Sequence, residues 1–392
     1  MDMQTIKTPL VRFPQFKDDW ENKPLNKLLS VSKTKNKDLK YGKEEVLSVS
    51  GELGIVNQIE HLGRSYAGVS VHNYGVVELN QIVYTKSPLK VNPYGIIKLN
   101  KSKAGIVSTL YAVYTVNEKT DGQFIEYYFS LDANLNRYLR PLVKKGAKND
   151  MKISDEYVLN DPVFAPKLQE QQKIASFLSK VDEKLQQLTK KKDLLEEYKK
   201  GVMQQIFSQE LRFKDDNGNN YSDWEEKKLG EVLDYEQPTK YIVKSTEYDN
   251  SFKTPVLTAG KTFVLGYTNE IDNVYLKTPV IIFDDFTMAN KFVDFPFKVK
   301  SSAMKILKPI NENVNMVFVY NIMQTINYPK GDEHKRFWIS EYSKIKIGYP
   351  SFEEQKKIAN FLSSIDKKIE LVSTQIENTK AFKKGLLQQM FV

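Results

Sequence analysis

The sequence predicts a mixed α+β fold: two heads of α/β structure separated by two long helices that form an antiparallel coiled coil, the halves related as a pseudo-two-fold internal repeat. Three observations carry this. The run EQQKIASFLSKVDEKL at 170–185 returns as EQKKIANFLSSIDKKI at 354–369, and GVMQQIF at 201–207 returns as GLLQQMF at 385–391, both at an offset of 184 residues. Within each copy, apolar residues recur in steps alternating between four and three, the seam of a coiled coil. Between the copies lie short runs rich in Val, Ile and Tyr, which read as strands.

The elements follow in order. Residues 1–165 make the first head, with strand-like runs at 45–49, 75–84 and 106–116. A helix starting at Asp121 carries Phe124, Tyr128, Leu131, Leu135, Tyr138 and Leu142 inward. The first long helix, 166–208, has Ile174, Leu178, Val181, Leu185, Leu188, Leu195, Val202 and Ile206 on its seam. Residues 209–349 hold a polar turn at 214–221 and the second head, with strands at 278–283 and 344–349 and a helix at 315–326. The second long helix, 350–392, has Ile358, Leu362, Ile365, Ile369, Val372, Ile376, Leu386 and Met390 on its seam. Lys199 and Lys383 interrupt the two seams at equivalent places; polar seam residues cost stability but fix register and partner choice. At ~1.5 Å per residue each helix is roughly 60 Å long. Pro166 and Pro350 stand where a helix can start.

Connectivity argues for the antiparallel arrangement. Domain termini often lie close together, so the second helix begins near where the first stops, with the heads at opposite ends. The repeat also extends beyond the helices. Arg12-Phe13 matches Arg212-Phe213, and Trp20-Glu21 with Leu25, Leu28 and Leu29 matches Trp224-Glu225 with Leu229, Val232 and Leu233. Lys145-Gly146 before Ile153-Ser154 matches Lys330-Gly331 before Ile339-Ser340. The interiors, 30–144 and 234–329, share no such identity, so two similar frames carry two different heads.

Composition narrows the function. Without cysteine there is neither disulfide nor thiol chemistry. The N-terminus has no apolar signal core and no run reaches membrane-span length, so a cytoplasmic protein without membrane contact is expected. The net charge of +9 favours a polyanionic partner, although 52 of the 58 basic residues are lysine, which also serves solubility. His61, His72 and His334 are not spaced as a metal pair, and no phosphate-binding Walker loop occurs. The segment 214–221 has the wrong end residues for a calcium loop. Asp284-Asp285 reads as a strand-end turn rather than nuclease carboxylates, and Asn92-Pro93-Tyr94 as a turn rather than a methyltransferase motif.

The basic residues are unevenly placed. Residues 86–103 hold five lysines and no acid, with Lys86 and Lys90 near Ser87, Asn92 and Tyr94. Residues 137–152 hold six bases, among them Lys144, Lys145 and Lys148, against one acid. The second head has Lys291, Lys330, His334, Lys335 and Arg336. Such cations neutralise phosphates, while Ser, Asn, Thr, Lys and Arg can read base edges.

Two variable heads joined by repeated helices ending in Gly-x-x-Gln-Gln-x-Phe, each preceded by Pro-x-x-x-Glu-Gln-x-x-Ile-Ala (Pro166 to Ala175, Pro350 to Ala359), closely resemble the specificity subunit of type I restriction–modification enzymes. The segments 83–95 and 280–292 look like parts of target-recognition domains, which adds Thr287 and Asn290 to the candidate DNA contacts. The resemblance implies a non-catalytic subunit whose heads each recognise half of a bipartite, asymmetric site in double-stranded DNA. The helices then set the unread spacer and dock two modification subunits. S-adenosylmethionine, ATP and magnesium belong to the modification and restriction subunits, and no cofactor is expected on this chain. The competing readings are a basic coiled-coil scaffold without sequence-specific DNA binding, and a nuclease or methyltransferase in its own right.

Overall fold

The computed structural model describes residues 8–145, 151–259, 262–327 and 337–391. They fall into two compact units, Met1–Leu188 with Gln375–Val392, and Thr189–Thr374. Each unit therefore contains the start of one long helix and the end of the other.

The first unit opens with a two-stranded ribbon, Glu21–Pro24 paired antiparallel with Pro162–Ala165. Its central sheet is antiparallel, in the order Leu29–Val31, Tyr111–Val116, Ile82–Thr85, Ile97–Leu99. Two further ribbons flank it, Leu47–Ser50 with Gly54–Asn57 and Gly75–Val77 with Gly105–Val107. The short helix α1 (Gln58–Leu62) follows the first ribbon, and α2 (Gly122–Tyr128) and α3 (Asp132–Leu139) cover the central sheet's core. The long helix α4 spans Leu168–Phe207.

The second unit repeats this plan. Its ribbon pairs Glu225–Lys228 with Lys346–Tyr349, and its central antiparallel sheet runs Leu233–Glu236, Met304–Pro309, Val280–Asp284, Asn290–Val293. In place of the flanking ribbons stands a three-stranded sheet of Val264–Thr268, Thr254–Leu257 and Lys298–Val299. Helices α5 (Leu229–Val232), α6 (Met316–Thr325), α7 (Phe337–Ser340) and α8 (Phe352–Met390) complete it.

Three expected elements divide. The run 75–84 is two strands in different sheets, because Asn80 turns the chain at φ 62 with its N–H bonded to the Asn100 carbonyl at 2.9 Å. The run 106–116 likewise splits into Gly105–Val107 and Tyr111–Val116. The single helix expected from Asp121 is α2 and α3. Phe129 and Leu131 both pack into the core two residues apart, a spacing that one face of a continuous helix cannot offer. The Ser130 hydroxyl takes the Glu126 carbonyl at 2.7 Å and helps end α2. Asp121 and Asn315 do cap α2 and α6, accepting from Phe124 N–H and from Val317 and Phe318 N–H.

Within each unit α4 and α8 pack antiparallel. In the first, Ile174, Ala175 and Leu178 of α4 share a core with Leu387 and Met390 of α8. In the second, Ile358, Ala359 and Leu362 of α8 share a core with Val202, Met203 and Ile206 of α4. The seam lysines are paired: Lys383 Nζ reaches Asp182 at 2.5 Å in the first unit, and Lys199 Nζ reaches Asp366 at 2.6 Å in the second. The 184-residue offset converts one pair into the other. Of the other seam residues, Leu188, Ile365, Val372 and Ile376 are buried, while Val181, Leu185, Leu195, Ile369 and Leu386 are half-buried. Near the end of α8 the deeper position is Leu387, next to the expected Leu386.

Candidate nucleic-acid interface

The repeated residues outside the seam hold each head on a helix. Arg12 donates from Nε and Nη2 to both carboxylate oxygens of buried Glu170, each at 2.7 Å, and Trp20 Nε1 adds a bond at 3.3 Å. Hydrogen bonding to Glu170 raises the Arg12 pKa further still. Gln171, also buried, accepts from Asp121 N–H at 2.9 Å and donates to the Pro166 carbonyl at 2.8 Å, linking the α2 cap to the start of α4. In the second unit Arg212 donates to Glu354 at 3.4 and 2.9 Å, and Trp224 Nε1 donates to it at 3.0 Å. Gln355 accepts from Asn315 N–H and donates to the Pro350 carbonyl, both at 3.0 Å. Phe13 meets Phe177 edge-on at 5.7 Å, as Phe213 meets Phe361 at 5.4 Å. The Phe closing each Gly-x-x-Gln-Gln-x-Phe run packs on the capped helix: Phe391 on Phe124 at 5.3 Å, Phe207 on Phe318 at 5.8 Å. Sequence identity between the copies flagged these residues, but not that a buried Arg–Glu–Trp clasp joins them.

On the first head, residues 86–96 link Ile82–Thr85 to the edge strand Ile97–Leu99. Lys86 is only 15% exposed and pairs with Asp155 at 2.5 Å. Ser87 is half-buried and Lys90 exposed. Asn92 donates to Asp132 at 2.9 Å and accepts from Asn136 at 3.2 Å, which ties the loop to α3. Tyr94 is half-buried, and its carbonyl accepts the Tyr84 hydroxyl at 2.7 Å; burial pushes the Tyr84 pKa up. Gly95 is required here: φ is 93°, and a Cβ would lie 2.0 Å from the Thr85 carbonyl oxygen. Lys144 and Lys145 form a ribbon with Met151–Lys152, and Met151 Sδ lies 3.8 Å from the Tyr84 hydroxyl, so ribbon and loop meet. Lys148 lies outside the described residues.

On the second head the hairpin loop 285–289 occupies the same place in the sheet order. Thr287 donates to Asp284 at 2.5 Å, and Asn290 accepts from Gln324 at 2.5 Å while donating to the Met288 carbonyl at 3.3 Å. Lys291 is exposed, as is half of Phe286. Asp284 closes the turn, and buried Asp285 pairs with Lys305 at 3.4 Å and accepts Trp338 N–H at 3.0 Å. Both carboxylates thus serve local structure. Lys330, His334, Lys335 and Arg336 lie outside the described residues; His61 and His72 are exposed.

The sequence reading missed a basic stretch. Lys33, Lys35, Lys37, Lys40 and Lys43 are all exposed, with Asp38 the one acid among residues 32–43. Their close spacing was the available signal.

A profile of the family described as the Type I restriction modification DNA specificity domain matches residues 17–197 and 221–380. The chain belongs to this family. It carries two copies of the domain, one to each half of the repeat, and the resemblance drawn from the sequence holds. The chain is 51% identical over 142 residues to the EcoR124I/EcoR124II type I restriction enzyme specificity subunit of Escherichia coli, a stretch covering 35% of each protein. It is 27% identical over 263 residues to the MjaVIII specificity subunit of Methanocaldococcus jannaschii, covering 58% of this chain and 60% of that one. The matched stretches thus span less than two thirds of either relative. The crystal structure of a type I restriction–modification S subunit from M. genitalium aligns over 98% of this chain and 99% of that one, with a TM-score of 0.63 at 17% identity. That likeness concerns the fold.

Proposed function

We propose that this family member is the DNA-reading, non-catalytic subunit of a type I restriction–modification complex. Each head reads one half of a bipartite, asymmetric site. The helices α4 and α8 set the unread spacer and dock two modification subunits, which supply S-adenosylmethionine, flip an adenine in each half-site and methylate it. An ATP-dependent restriction subunit joins for cleavage.

The observation that carries this reading is one hairpin presented twice from equivalent sheets with different chemistry. The first head offers Lys86, Ser87, Lys90, Asn92 and Tyr94, and the second Thr287, Asn290 and Lys291. Lys90, Lys144 and Lys291 supply phosphate contacts, and Ser87, Asn92, Tyr94, Thr287 and Asn290 lie nearer the bases. Lys86, engaged by Asp155, fixes the loop as well as adding charge.

Docking in two copies has its own support. Tyr198 and Phe382, related by the 184-residue offset, are 54% and 56% exposed on the helices. Three residues beyond each stands a glycine, Gly201 and Gly385, where a Cβ would meet nothing within 4 Å. Glycine inside a helix costs about 1 kcal/mol relative to alanine. Nothing within the described chain requires either glycine, whereas a partner helix approaching closely would require both.

Mapping methylated adenines in the host genome, with and without this gene, tests the proposal. A bipartite motif that vanishes with the gene is expected. A methylome indifferent to the gene, together with no shift of duplex DNA by the chain bound to its modification subunits, would instead favour the scaffold.

A further inference from the structure

The first head presents a second loop at the edge that carries residues 86–96. Residues 62–74 run from the end of α1 into the strand Gly75–Val77, whose Gly75 pairs with Val107. The turn after Val107 leads to Leu110, whose carbonyl accepts Lys86 N–H at 3.0 Å. The two loops and this turn therefore leave the head at one edge.

The loop is built rather than slack. Gly63, at φ 75, ends α1. Gln58 Oε1 accepts Tyr66 N–H at 2.6 Å while its Nε2 donates to Ser48 Oγ at 3.0 Å. Val71 is buried beside Val46, Val76 and Ile106. Asn36, 2% exposed, joins the loop to the lysine stretch: its N–H bonds the Tyr74 carbonyl at 3.0 Å and its side-chain amide donates to the carbonyls of Tyr41 at 2.8 Å and Val71 at 3.4 Å.

This scaffold presents a cation, an aromatic ring and an aliphatic side chain. Residues 61–77 contain no acid. Arg64 is exposed, with its guanidinium lying over the Tyr66 ring, 4.6 Å from the centroid. The chain has six arginines against 52 lysines, and two of them, Arg12 and Arg212, each grip a carboxylate with two guanidinium nitrogens. Val69, between Gly68 and Ser70, is 99% exposed.

We propose that Arg64 is a base-reading residue of the first head. Held over the Tyr66 ring, its guanidinium donates to N7 and O6 of a guanine in the major groove, and Val69 makes apolar contact beside it. Lys33, Lys35, Lys37, Lys40 and Lys43 take the flanking phosphates. This rests on the reading of the heads as DNA-binding modules, and the test separates the two. The complex of this chain with its modification subunits is titrated against duplexes carrying the mapped site and against a panel with each base pair of both half-sites replaced in turn. The wild-type complex must discriminate within both halves; if it does not, the DNA-reading proposal itself fails. Given that it does, R64A should lose roughly 5- to 100-fold discrimination at one G·C pair of one half-site, with the other half unchanged. R64M keeps an unbranched stem without any donor and should lose the same discrimination, which decides the matter if R64A folds poorly. Discrimination retained at every position, whether overall affinity falls uniformly or not at all, overturns the assignment.

Discussion

The two units have the same skeleton and different rims. Each sets an Arg, a Trp, a Glu and a Gln at the root of a long helix, caps a covering helix with Asp or Asn, and orders its central sheet identically. Beyond that root they part. The first unit adds two ribbons, a lysine stretch and an 11-residue loop, 86–96, where the second adds a three-stranded sheet and a loop of five residues, 285–289. Repeated identity therefore marks where geometry is fixed, and divergence marks where recognition can vary. The internal duplication separates these two requirements within one chain.

If the clasps are equivalent, removing either carboxylate should have the larger effect of any single change and a similar size in both units. E170A strands Arg12 in a partly buried site, and E354A does the same to Arg212; each should cost about 3 kcal/mol. Denaturant unfolding followed by tryptophan emission checks this. The first clasp has the shorter Arg–Glu contacts, so E170A should be the costlier of the two. A cost confined to one unit would break the comparison.

The exposed aromatics sharpen it. Y198A or F382A alone should weaken one docking site, and the double variant both, each by about 1–2 kcal/mol, roughly tenfold. Sedimentation with purified modification subunits reads the stoichiometry, and chain stability should hardly change. Smallest are the seam ion pairs. D182A and D366A remove partners from Lys383 and Lys199, in half-exposed surroundings, and each should cost less than about 1 kcal/mol. A greater loss in only one of them would mean that the two units are not interchangeable here.

How far the sequence foretold this differs by element. The long helices and the starts of α2 and α6 were legible because their signals are local: a period and an offset. The split at Asn80 was not, since a left-handed residue inside an apolar run leaves no periodic trace. Nor was the break between α2 and α3, where core packing of Phe129 and Leu131 overrides helical spacing. At the candidate interface, charge pointed to residues 86–103, but Asp155 is 69 residues from Lys86 in sequence, so the pairing that holds this lysine was invisible. Glu170 and Gln171 stood out only as repeated residues at a helix start; the fold shows them buried against Arg12, Trp20 and Asp121.

Exchanging the first head tests the central claim, that one fixed frame carries two independent readers. Residues 30–144 are replaced by the corresponding segment of a family member with a different target, leaving both clasps and both long helices intact, and the methylome is mapped. The account predicts a new sequence in one half-site, with the other half-site and the spacer length unchanged. Alteration of both half-sites in a folded, active complex would contradict it.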